Sequence, residues 1–262
     1  MKKYLSLLNY ELKTIYRDFL QLYMLVFPIL ILLFAIYLVP TIMDTLIMDD
    51  NTTYYVMLLL VIMLMSFGVF IIGAMGSFLL LEHKDEKTIN TIAVTPLGIN
   101  GYLRFKLLYI YIFALVSILV VLIGMKVFAS DVYVIKTIEI FDNISYSKII
   151  LHAIVAAMFA PTLSLLQAAL AHNKVEGFAI MKLSSLMALA PMIMIFRSFE
   201  GYLQYLLGIF PNFWAIKAFI LEFFPNQNMA NLSFNLYLLG GVIVNTLLFI
   251  LFYRLFIRKI NY

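Results

Sequence analysis

The chain has few residues able to do chemistry, and their spacing excludes most reactions. Its three histidines, His83, His152 and His172, stand far apart, and there is no cysteine. An intramembrane metalloprotease needs a His-Glu-x-x-His pair on one helix face, and that pattern is missing. Gly76-Ser77-Phe78 does not complete a Gly-x-Ser-x-Gly nucleophile elbow. No glycine is followed by lysine, so the phosphate-cradling Gly-x-x-x-x-Gly-Lys-Ser/Thr loop is missing too. No Asp-rich or His-rich cluster marks a metal, and nothing in the pattern points to nucleic acid. The expectation is a protein that is not itself an enzyme and carries no cofactor in this chain.

The richest polar stretch runs from Glu82 to Lys106. It opens Glu82-His83-Lys84-Asp85-Glu86-Lys87-Thr88-Ile89-Asn90-Thr91-Ile92-Ala93-Val94-Thr95-Pro96-Leu97 and continues through Gly98-Ile99-Asn100-Gly101 to Tyr102-Leu103-Arg104-Phe105-Lys106. It reads as a helix of about three turns that ends before Pro96, because a proline pushes the preceding residue out of the α region. The charges at 82–87 suit a polar contact, and Ile89, Ile92 and Ala93 recur at helical spacing. Two readings stand at this point: a rigid surface for a soluble partner, or a solvated charge run at a membrane edge.

The elements that hold this stretch are membrane spans. Of 262 residues, 65% are hydrophobic and 12% charged, with a mean hydropathy of +1.03. A soluble domain is nearer half apolar and a quarter charged, so lipid must solvate much of this surface. Six apolar stretches run over 20–39, 54–81, 107–125, 149–171, 178–196 and 236–253, each close to the roughly 20 residues a helical span requires. Only the fifth contains a charge, Lys182, near its end, where a lysine can snorkel to the interface. Pro28, Pro161 and Pro191 fall within spans, where kinks are tolerated. The first apolar run lacks a small-residue cleavage site and reads as a retained span rather than a signal peptide.

Charge sets the orientation. If the N-terminus is cytoplasmic, thirteen of the eighteen basic residues fall on the cytoplasmic side, and Lys126, Lys136, Lys148, Arg197 and Lys217 on the other. The positive-inside bias then places both termini in the cytoplasm. Residues 1–19 carry Leu5, Leu8, Leu12, Ile15, Tyr16 and Phe19 on one face, the pattern of an interfacial amphipathic helix. Residues 20–262 read as a single six-span domain. Residues 199–224 are apolar but broken by Gly201, Gly208 and Pro211, and hold the only tryptophan, Trp214. They read as a short helix or re-entrant hairpin at the outer interface; a seventh span would put Arg254, Arg258 and Lys259 outside.

Polar residues inside the spans are Ser66, Ser77, Ser117, Thr162, Ser164, Gln167, Asn245 and Thr246. They suit interhelical hydrogen bonds better than ion ligands. Ion-coupled carriers usually place carboxylates or histidines mid-membrane. The near absence of such charges therefore argues that any driving energy comes from outside the chain, and it disfavours sodium as cargo.

With these residues in view, the 82–106 segment resembles the signature of permease subunits of ABC-2 type ABC transporters. In that family a charged run ends the second span, and Gly/Lys-Thr, a short helix, Thr/Ser-Pro-Leu and Tyr-Leu-x-x-Lys follow. The matching positions are Glu82, Lys84, Glu86, Lys87, Thr88, Thr95, Pro96, Leu97, Tyr102, Leu103 and Lys106, with Lys87 standing where glycine is common. The layout is similar over nearly the whole chain, although the motif covers only about 25 residues. The resemblance implies an all-α integral membrane fold with an N-terminal interfacial helix, six spans, a cytoplasmic coupling helix between spans two and three, and a broken outer hairpin between spans five and six. It implies a separate ABC ATPase that binds ATP and magnesium, and a second permease copy or related permease. ATPase coupling would fall to Glu82, Lys84, Asp85, Glu86, Lys87, Thr88, Ile89, Ile92, Thr95 and Pro96. It implies export from a plasma membrane, and the composition is compatible with a bacterial one. A wall of Phe, Met, Leu and Tyr favours a drug, lipid-like molecule or peptide as cargo, although lipid-facing surfaces use the same residues. The competing readings are a secondary carrier, and a non-transporting anchor or immunity protein that recruits a partner through the same loop.

Overall fold

The computed structural model describes residues 18–45, 50–86, 88–94, 98–135, 138–142, 144–196, 199, 201–223 and 231–260. The amphipathic helix read over 1–19 lies outside them except for its last two residues.

The fold is all-α, with six helices long and apolar enough to cross a membrane. The first span consists of α1 (Phe19–Leu33), a widened π turn (Phe34–Leu38) and α2 (Val39–Thr45). It continues past the expected end at residue 39, through Pro40. A proline ring collides with the carbonyl four residues back, and the π turn relieves this: the Val39 N–H donates to Phe34 O, five residues earlier. The Tyr133 hydroxyl, from a distant loop, donates to Ala35 O at 2.7 Å and covers the same turn.

The second span is α3 (Asp50–Asp85). A short helix, α4 (Thr88–Ala93), follows, and α5 (Gly98–Phe128) is the third span. Gly98 opens α5 with φ +64°, a left-handed conformation that a side chain would resist. A two-residue antiparallel ladder, β1 (Val134–Ile135) with β2 (Ile138–Glu139), decorates the next loop.

The fourth span is broken into α6 (Tyr146–Ala157) and α7 (Phe159–Leu170), with Met158 between them. Pro161 has no N–H for the Ala157 carbonyl, and the chain steps aside one turn before it. The fifth span is α8 (Lys174–Leu189), tightening into a 3₁₀ turn (Ala190–Ile195) around Pro191. A second 3₁₀ segment (Tyr202–Ile209) and α9 (Pro211–Phe223) lead to the sixth span, α10 (Phe234–Ile260).

Spans two and four form the centre, two-thirds of each buried, whereas spans one, five and six are about a quarter buried and face outward. The most extensive packing joins α3 to α7. Small residues permit it: the Ser164 hydroxyl donates to Gly73 O across the interface at 2.7 Å. Of the mid-span polar groups, Gln167 and Asn245 also cross between helices, to Ser184 Oγ (2.6 Å) and Pro211 O (3.1 Å). Ser77 and Thr162 instead donate within their own helices, to Ala74 O and Met158 O.

Helix α9 is packed inward, whereas Tyr202, Leu206 and Ile209 of the preceding 3₁₀ segment are exposed. Phe213, Ala215, Ile216, Ala218 and Phe219 are buried in α9, and Lys217, read from sequence as an outer-loop residue, is 1% exposed. Thirteen residues rise only about 20 Å, too short to span, so α9 is a short helix packed against the bundle rather than a seventh span. Its far end is held by Lys148 Nζ to Glu222 Oε2 at 2.6 Å.

Candidate functional site

The segment expected to carry coupling is split. Glu82–Asp85 form the last turn of α3 rather than part of a separate three-turn helix, and only Thr88–Ala93 form the short helix α4. The join explains the split. The Thr88 hydroxyl donates to the His83 carbonyl at 3.2 Å, closing one of the orphan acceptors at the α3 end, and lies 2.9 Å from His83 Nδ1. The His83 ring meets Tyr102 edge-on, with centroids 5.2 Å apart. Ile92 packs on the cluster that buries Tyr102 and Leu103. Thus α4 is braced from both sides, by the end of α3 and the start of α5.

Three of the charged residues turn toward the link between spans four and five. Lys174 Nζ lies 2.8 Å from Glu82 Oε1, the Lys174 N–H donates to Asp85 Oδ2 at 2.9 Å, and Lys84 Nζ donates to Ala171 O at 2.7 Å. The receiving turn is stiff. Asn173 caps α8 by accepting from the Glu176 N–H at 2.8 Å, and Glu176 Oε2 accepts from the His172 N–H at 2.8 Å. The Asn173-x-x-Glu176 spacing was the signal in the sequence that this turn is rigid, but it gave no hint of its neighbour. Glu86 and Val94 remain exposed, Val94 at 86%. Ile89 lies within α4, and Lys87, Thr95 and Pro96 lie outside the described residues.

The same end of the bundle carries a lateral groove of about 670 Å³ between α5, α7 and α10, lined among others by Arg104, Leu108, Tyr111, Met158, Phe249 and Arg254. Deeper in the bundle, Ser66, His152 and Asn212 meet around a cavity of about 20 Å³. No group of three or more His, Cys, Asp or Glu able to hold a metal occurs among the described residues.

Six helices long and apolar enough to cross a membrane, with a braced polar segment at one end of the bundle, define a multi-pass membrane protein. Residues 11–253 match the family described as fluoroquinolones export permease protein Rv2686c-like, and the chain belongs to that family. Two relatives from Mycobacterium tuberculosis are similar to it: fluoroquinolones export permease protein MT2760 (strain CDC 1551 / Oshkosh) and Rv2686c (strain ATCC 25618 / H37Rv). Each is 26% identical over 205 residues, covering 75% of this chain and 70% of the relative. No solved structure is a significant match. The family membership is consistent with the ABC-2 resemblance and makes this chain a membrane permease for export, a transport component rather than an enzyme.

Proposed function

We propose that this chain is the membrane subunit of an ATP-driven exporter whose energy comes from a separate ABC ATPase holding ATP and magnesium. The ATPase seats on the surface formed by Glu86 and α4, on the cytoplasmic side. Two permease subunits, identical or related, enclose the pathway between them. The cargo is an amphipathic small molecule; the fluoroquinolones in the relatives' names are of that kind. The membrane is a bacterial plasma membrane, with both termini inside.

One observation carries this reading: the bracing of α4 on three spans at once. Through Thr88 and His83 it grips the end of α3, through Ile92 it rests against the start of α5, and through Glu82, Lys84 and Asp85 the α3 end is tied to the start of α8. A push on α4 therefore reaches spans two, three and five as one body, which is the rigid coupling that an ATP-driven two-state transporter needs. A free loop would dissipate it.

The test is affinity purification of the protein from its native membrane in mild detergent, followed by mass spectrometry and an ATPase assay. A nucleotide-binding subunit should copurify, and scrambling 86–94 should release it. Recovery of the chain with no ATPase activity would move a secondary carrier or an anchor to first place.

A further inference from the structure

The groove between α5, α7 and α10 has a composition that its packing does not explain. Its wall is apolar over most of its length, with Leu107, Leu108, Phe249 and Ile250 facing it, and it opens sideways: Leu108 is 57% and Ile250 44% exposed. At the end of the bundle where α3 meets α5, two arginines, Arg104 and Arg254, flank its mouth. An adjoining hollow of about 350 Å³ shares Tyr253 and Arg254 and adds Arg258. Among the described residues, no acidic one lines either hollow. All three arginines are exposed and none forms an ion pair among the described residues, while Tyr253 donates to Asn100 Oδ1 at 2.9 Å and fixes the rim between α10 and α5.

The dimensions fit one leaflet. From Arg254 to Thr246 the groove follows α10 for eight residues, roughly 12 Å at the helical rise. It ends near Met158 and Pro161, at the break in the fourth span. Half of a hydrocarbon core about 30 Å thick is about 15 Å. A guanidinium pair at headgroup depth above a half-membrane apolar channel is complementary to a phosphate carrying an acyl chain, because guanidinium binds phosphate oxygens bidentately.

We propose that this groove is a binding site for one anionic phospholipid, with its phosphate between Arg104 and Arg254 and one acyl chain lying along Leu107, Leu108, Phe249 and Ile250. The bound lipid joins three helices that otherwise leave a wedge open to the bilayer, and it couples α10 to the broken span. The site is independent of the ATPase and of the cargo.

The experiment is native mass spectrometry of the detergent-purified full chain titrated with phosphatidylglycerol or phosphatidylcholine. Wild type should retain one phosphatidylglycerol per chain in preference to phosphatidylcholine. R104Q/R254Q should bind phosphatidylglycerol about tenfold or more weakly, with phosphatidylcholine binding unchanged. R104K/R254K, which keeps the charge but loses the fork, should fall between them, and Leu108→Trp should block the site with both arginines in place. Equal retention of the two lipids by wild type, or unaltered phosphatidylglycerol binding in R104Q/R254Q, would overturn the site. Stoichiometric displacement of the lipid by an aromatic carboxylate drug would also overturn it, making the groove a cargo site. Unchanged Trp214 emission confirms that each arginine variant is folded, and an unchanged far-ultraviolet circular dichroism spectrum does so for Leu108→Trp, which adds a second indole.

Discussion

Lys174, the first residue of the fifth span, places its Nζ 2.8 Å from Glu82 Oε1 in the last turn of the second span, 92 residues away in sequence. The side chains are 39% and 30% exposed, so solvent screens the pair and its contribution to stability is small, about 0.5 kcal/mol. Its importance is geometric. Together with Lys174 N–H to Asp85 and Lys84 to Ala171 O, it makes the ends of two spans move as one.

Charge reversal should separate that role from stability. Glu82→Lys and Lys174→Glu should each reduce export several-fold, while the double exchange restores most of it. Thermal unfolding temperatures should stay within a few degrees of wild type, as befits a partly exposed pair. Drug accumulation in intact cells is the readout. Additive losses in the double variant would show that the two side chains do not act together.

Close packing of spans two and four depends on glycine at two positions. A Cβ added at Gly76 would lie 2.6 Å from Ser164 Oγ and 2.7 Å from Ile110 Cδ1, and one at Gly73 would lie 3.0 Å from the Ala160 carbonyl oxygen. Ser164 cannot move away freely, because its hydroxyl is engaged with Gly73 O and Ala160 O. Gly76→Ala should cost about 1–3 kcal/mol, and Gly76→Leu more. Denaturation in detergent measures both; a neutral Gly76→Leu would contradict this packing.

Trp214 should serve as an internal reporter. It is the only tryptophan in the chain. Its indole N–H donates to Gly208 O at 2.8 Å, and its ring lies against Gly208 and Gly240, where a Cβ at Gly240 would come 2.6 Å from Cζ3. Gly240→Val should expel the ring from this slot and loosen α9 from α10. Intrinsic fluorescence should shift to longer wavelength relative to wild type. An unaltered spectrum would mean that the indole is held by other contacts.

Ser66 offers a smaller test. It is 1% exposed, lies beside the 20 Å³ cavity and has no hydrogen-bond partner for its Oγ within the protein. Removing a buried unsatisfied hydroxyl should not destabilise, so Ser66→Ala should be neutral or stabilising by up to about 1 kcal/mol. A marked loss of stability would show that the hydroxyl is satisfied, for instance by an ordered water.

The spans and the all-α class were legible because the bilayer imposes a length and a hydropathy that six stretches meet independently. Local signals were legible in part: Pro161 and Pro191 mark departures from regular helix, whereas Pro28 sits inside an unbroken α1. Contacts between distant segments were not. The run Glu82–Glu86 reads either as a partner surface or as a solvated edge, and nothing near it in sequence shows that Lys174 and Ala171 lie opposite. Lys217 reads as an outer-loop charge because a short helix or re-entrant hairpin at the outer interface, the reading of the Gly-broken stretch, does not show which of its side chains are buried against other spans. The groove was equally hidden, since Arg104 and Arg254 are 150 residues apart and each alone is an ordinary interfacial cation.

The most direct measurement of the central claim is uptake of a fluorescent fluoroquinolone into inside-out vesicles from cells producing this permease together with the ABC ATPase proposed above. The account predicts accumulation that requires ATP, is stopped by vanadate, and persists when a protonophore collapses the proton gradient. Accumulation driven by a proton gradient without ATP would contradict it.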